Sequence, residues 1–236
     1  MSHHDTHIAM LKAVAKALGD KLRSEMAFVG GSTTGLLITD EFTREQVRGT
    51  DDVDLIVHVI GHRGFNLLQK ELAGHGFQVA MPIPGEAPPI CAMTLGQLRV
   101  DFMPDDEAVL GFSNRWYQEA IATAWPHDLG DGLQIKLVSP PYFIATKLEA
   151  WNGRGNGDAL ESRDIEDIIN LVDGRPELLD EVAECSPELR QYIAVEVVKL
   201  LEDSNFEYAI QSHTGNSSER ESIIFSRFEK LGGISA

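Results

Sequence analysis

Apolar positions recur along this chain at two spacings, and the change from one to the other divides it. In residues 7–18, Ile8, Leu11, Val14 and Leu18 share one helical face, and Gly19 supplies a stop. Residues 26–29 read as a short apolar strand broken by Gly30-Gly31, after which Ser32 is placed to cap a helix over 33–38. Residues 40–50 are polar and predict a loop or a short helix. Residues 53–60 (VDLIVHVI) are the clearest strand, rich in β-branched side chains. Phe65, Leu68 and Leu72 then mark a helix that Gly74 ends. The proline- and glycine-dense stretch 81–89 predicts a loop. Residues 90–95 and 98–103 predict a hairpin turning at Gly96-Gln97. A helix over about 113–124 and a strand over 134–138 follow.

From Pro140-Pro141 onward the spacing is helical. Helices are predicted over 142–151, 159–172, 176–184, 187–203 and 219–231. The expected organisation is therefore an α/β domain over residues 1–139 and a helical domain over 140–236.

Composition narrows the classes. At 236 residues the chain can bury a full core, and its 43% hydrophobic and 24% charged content is ordinary for a globular protein. Met1 to Met10 carry no basic start followed by an apolar run, and no stretch approaches the ~18 apolar residues of a membrane span. A soluble, cytoplasmic protein without a membrane partner is expected. Two cysteines, Cys91 and Cys185, are too few for a disulfide framework. The net charge of −17, from 20 Lys+Arg against 37 Asp+Glu, argues against a protein that grips duplex DNA by its phosphates.

Three places carry chemistry. A strand that ends in Gly30-Gly31-Ser32 before a helix brings backbone N–H groups toward an anion such as a triphosphate. A tight strand–helix turn explains the same glycines without a ligand. Asp52 and Asp54, two apart at the head of a strand, project from one face. Paired carboxylates repel unless a cation lies between them, and Mg²⁺ takes one or two such ligands beside substrate phosphates. Asp101 interrupts an apolar run, where a charged group is rare without a partner. If its strand lies beside residues 53–60, three carboxylates converge and can hold two metal ions. His58, alternating with core positions, is expected to be packed or paired. His3, His4 and His7 are expected at a frayed end.

The order G-G-S, then D-x-D opening a strand, then a lone Asp on a later strand resembles nucleotidyltransferases of the DNA polymerase β-like superfamily. Thr50-Asp51-Asp52-Val53-Asp54-Leu55 is similar to the T-x-D-x-D-hydrophobic form of the minimal and AbiEii-type bacterial enzymes. Lys147 and Arg154, spaced K-x-x-x-x-x-x-R, and Asp164 and Asp167 in SRDIEDI resemble the later motifs of AbiEii-type toxins. The resemblance covers roughly residues 26–170. It implies a mixed sheet flanked by helices, followed by a helical region. The implied reaction moves NMP from an NTP to an acceptor hydroxyl on a tRNA, a protein or a small molecule, releasing pyrophosphate. It also implies the toxin of a toxin–antitoxin pair, with an antitoxin partner.

Under that resemblance Asp52, Asp54 and Asp101 hold two Mg²⁺ ions, and Asp101 helps deprotonate the acceptor. Gly30, Gly31, Ser32 and Lys147 bind the nucleotide's phosphates, with Thr50, Arg154, Asp164 and Asp167 as supporting residues. The 19 residues 33–51 exceed the family's usual spacing, so an inserted turn is expected within 39–49. Two alternatives stay open: a non-catalytic nucleotide-sensing or protein-interaction module on the same fold, and a metal-dependent phosphohydrolase or nuclease. The latter leaves the glycine corner without a reason.

Overall fold

The computed structural model describes residues 2–81, 91–111, 113–154 and 157–233, with the side chain of Arg154 outside that set. Its chain forms two compact units, residues 1–33 with 48–139, and residues 34–47 with 140–236. The loop expected over 81–89 lies outside the described residues beyond Met81.

The first unit is built on a mixed seven-stranded sheet. Its strands are β1 (Met26–Val29), β2 (Asp52–Val57), β3 (Phe77–Val79), β4 (Ala92–Leu95), β5 (Leu98–Pro104), β6 (Trp125–Asp128) and β7 (Gln134–Leu137). They lie in the order β3-β4-β5-β2-β1-β7-β6. β2 runs parallel to β5 and antiparallel to β1, while β1 runs parallel to β7. The predicted hairpin is present as antiparallel β4 and β5. Val53, Leu55, Ile56, Val100 and Phe102 are fully buried and form the interior of the sheet. Each such side chain contributes about 1.5–3 kcal/mol by leaving water.

The helix His3–Glu25 buries Leu11, Val14, Leu18 and Leu22, the periodic face read from the sequence, and packs on β1, β2 and β7. Its N-terminus is closed by a capping box, with the Ser2 hydroxyl accepting from Asp5 N–H and the Asp5 carboxylate from Ser2 N–H. Gly19 breaks this span as expected, leaving two helices that meet at a kink. Its backbone is non-helical (φ 69°, ψ 173°), and the second helix runs on to Glu25.

The second unit is helical: Pro140–Arg154, Arg163–Gly174, Leu178–Ala183, Pro187–Leu201, Ser204–Thr214 and Ser218–Leu231. Its interior includes Phe143, Leu148, Ile168, Leu189, Phe206 and Phe228, all fully buried. Residues 34–47 pack with these helices. Thr39 and Asp40 N–H both donate to the Gly174 carbonyl, and Asp40 caps the short helix Glu41–Gln46 by accepting from Thr43 N–H. A side chain at position 174 would collide with Ile38 and Thr43. The turn expected within 39–49 is thus a helix seated on this unit.

Among the described residues no helix is long and apolar enough to cross a membrane.

Candidate metal centre

The pairing of β2 with β5 sets Asp52 opposite Arg99 and Asp54 opposite Asp101. Residues opposite one another on neighbouring strands share a face, as do residues two apart on one strand. The four charged side chains therefore stand together, while Val53 and Val100 fill the core behind them. Carboxylate oxygens of Asp52, Asp54 and Asp101 all lie within 4.8 Å of one another. The convergence expected from the sequence is present. Asp101 is 8% exposed and the other two are half-buried.

Arg99, which sequence reasoning passed over, grips Asp101 with both arms of its fork. Nε donates to Oδ1 at 2.9 Å and Nη2 to Oδ2 at 2.8 Å. That hydrogen bonding holds the guanidinium pKa above its ordinary value. Each carboxylate oxygen has a second lone pair, so a paired Asp101 keeps capacity to ligate. The field of the acids reaches Cys91. Burial, then the charges of Asp101 and Asp54, push its thiol up to about 12, so it is an inert neighbour rather than a nucleophile.

The Thr50 hydroxyl donates to Asp52 Oδ1 at 2.5 Å, and Thr50 N–H donates to His7 Nε2 at 3.2 Å. His7 is 2% exposed. It does not lie at a frayed end, because the capping box starts the helix ahead of it. The signal was available in Ser2 and Asp5, three residues apart. His58 is paired, as expected, with Asp105 at 2.6 Å.

The glycine corner abuts the same acids. Val29 pairs with Asp54 across β1 and β2, and Gly30 follows with φ 84°. A Cβ at position 30 would stand 1.9 Å from Asp54 Oδ2, so the absent side chain is what admits this carboxylate. Ser32 does not cap the next helix. Residues Gly31–Thr33 form a 3₁₀ turn, in which Thr33 N–H and Oγ1 both bond the Gly30 carbonyl. The Ser32 Oγ is buried and makes no hydrogen bond among the described residues. Buried hydroxyls are usually paired, and an orphan beside a cluster of acids fits a site that takes a polar ligand.

The remaining sequence-predicted residues belong to the helical unit. Lys147 is buried, with Nζ 3.0 Å from Asp164 and 2.7 Å from Asp167. Burial works against its charge, but the attraction of Asp167 and Asp164 outweighs it and raises the lysine pKa. Arg154 ends the helix Pro140–Arg154, and its side chain lies outside the described residues.

No family model matches the chain, and no curated protein matches it.

Proposed function

We propose that this protein is a metal-dependent nucleotidyltransferase, moving NMP from an NTP to an acceptor hydroxyl with release of pyrophosphate. The observation that carries this reading is the meeting of Asp52, Asp54 and Asp101 within 4.8 Å of one another. Oxygen-only donors suit Mg²⁺, and a three-carboxylate set on two neighbouring parallel strands can hold two such ions. Bound there, Mg²⁺ would neutralise phosphate charge and acidify the attacking hydroxyl.

Asp52 and Asp54 are the residues that would hold the ions beside the phosphates. Asp101 would serve the acceptor side and take up the hydroxyl proton, steadied by Arg99 on its far lone pairs. Gly30 leaves its backbone bare, so phosphate oxygens can approach Gly31 N–H and the Ser32 hydroxyl. Thr50 fixes the orientation of Asp52. A toxin–antitoxin role and the acceptor's identity are further parts of the proposal, and the acidic balance of the chain favours a protein or small-molecule acceptor over tRNA.

The test is incubation of the purified protein and Mg²⁺ with each α-labelled NTP and a cell lysate. Label is expected on one acceptor, with pyrophosphate released, and none is expected after chelation or with Asp54→Ala. Release of orthophosphate without labelling would instead make it a phosphohydrolase.

A further inference from the structure

Position 7 falls in the series 7, 11, 14, 18 that sets Leu11, Val14 and Leu18 on the buried face of the first helix. An apolar side chain is the ordinary occupant of such a place. His7 stands there instead, 2% exposed. A buried polar ring costs energy unless it is hydrogen-bonded. The bond that His7 makes runs to Thr50, two residues ahead of Asp52.

Thr50 N–H donates to His7 Nε2 at 3.2 Å. A backbone N–H can only donate, so Nε2 offers its lone pair and the ring is neutral. The hydroxyl of the same threonine donates to Asp52 Oδ1 at 2.5 Å. Thr50 is thus held by the helix through its amide while it holds a carboxylate of the cluster through its side chain. The approach is close at a second point. His3, one turn before His7, lies against Gly49, where a Cβ would stand 2.8 Å from its Nδ1. The same helix also packs on β2 and on the 3₁₀ turn Gly31–Thr33, so it touches both arms of the site.

We infer that His7 is a positioning residue of the metal centre: its imidazole pins the Thr50 amide and so aims the Thr50 hydroxyl at Asp52. The inference rests on the proposal that Asp52, Asp54 and Asp101 hold divalent ions. Leucine at position 7 would continue the apolar face but accept nothing, leaving the Thr50 N–H without this bond. Glutamine would bring an amide oxygen near the place of Nε2 and can accept the same bond.

The experiment is titration of the purified protein with Mn²⁺, followed by the paramagnetic resonance signal of the free ion. His7→Leu is expected to weaken binding about tenfold, the low end of what losing an outer partner of a metal ligand costs, and His7→Gln to restore it. Thr50→Val already lacks the hydroxyl, so adding His7→Leu to it should cost nothing further, whereas a merely structural histidine would give additive losses. In the unsubstituted protein Mg²⁺ should move the His7 Nε2 resonance, and in Asp54→Ala it should not. That spectrum reads the link even if a position-7 variant fails to fold. Unchanged Mn²⁺ affinity in a folded His7→Leu, additive losses, or an unmoved Nε2 resonance in a protein that binds the ion would overturn the inference and leave the metal centre standing. A parent protein that binds no Mn²⁺ saturably, or binds it no better than Asp54→Ala does, would overturn the metal centre itself and the positioning role with it.

Discussion

In the helical unit, Asp164 and Asp167 gather round the ammonium of Lys147, at 3.0 and 2.7 Å. In the sheet unit, Asp52, Asp54 and Asp101 gather round one another, and the forked partner of Asp101 is an arginine with 46% of its side chain exposed. In the first arrangement the burial of the acids is offset by a cation built into the chain. The second brings like charges together on the rim of a sheet, which costs energy unless a cation joins them. The contrast separates acids held by a cation of the chain from acids grouped so that they could hold an added one, and each substitution below tests one side of it.

The largest effect is expected at Asp101. Replacement by alanine removes one repelling carboxylate and leaves Arg99 solvated, so stability should change by less than about 1 kcal/mol. Transfer should fall by about 10³-fold or more, equivalent to about 4 kcal/mol at the transition state. Binding of Mg·NTP should survive through Asp52 and Asp54, measurable by equilibrium dialysis. Loss of nucleotide binding with Asp101→Ala would make it a ground-state ligand rather than the acceptor-side group.

Lys147→Met tests the opposite arrangement. It takes the ammonium away from two buried carboxylates, and breaking a buried pair costs about 3–5 kcal/mol. Urea unfolding should show that loss, and adding Asp167→Asn should recover part of it. A Lys147→Met protein as stable as the parent would mean that the lysine is not the cation these acids depend on.

Gly30→Ala comes next. The left-handed conformation alone costs an ordinary residue about 1–3 kcal/mol, and the new methyl would overlap Asp54. Reduced stability should come with weakened Mg²⁺ binding, because the carboxylate must move. If only stability falls, the corner shapes the turn and has no part in the metal centre.

How far these features could be read in advance depends on the range of the cause. Asp52 and Asp54 declare their common face by a spacing of two, and Asp101 stands out because it interrupts an apolar run. Their meeting could be stated only as conditional on strand order, which is fixed by the pairing of β2 with β5 across more than 40 residues. Arg99 went unnoticed because a charged residue at a strand's start is ordinary until its partner is known.

Two strands were missed for local reasons. β3 has only three residues, and β6 carries Pro126, tolerated because β6 lies at the sheet's edge. The helix Ser204–Thr214 was legible after all, since Asp203 caps it, Phe206 and Ile210 are four apart, and Gly215 closes it in the left-handed conformation. The passage of residues 34–47 into the helical unit was not, because it rests on backbone bonds to Gly174, more than 130 positions away.

The smallest expected effect concerns Thr50, which touches the centre through one hydrogen bond to Asp52. A hydrogen bond to a charged group is worth about 1.5–3 kcal/mol, and losing such a partner typically weakens a metal site about 10–100-fold. Thr50→Val keeps the shape of the side chain, so the fold should hold while the Mg²⁺ concentration for half-maximal activity rises about tenfold. At saturating Mg²⁺ the rate should return to near that of the parent, because an orienting group is needed less once the ions are driven in. Thr50→Ser restores the hydroxyl and should restore the metal dependence. A rate that stays low at saturating Mg²⁺ in the valine variant would instead put Thr50 in contact with the reacting groups, and would move one more residue to the binding side of the contrast.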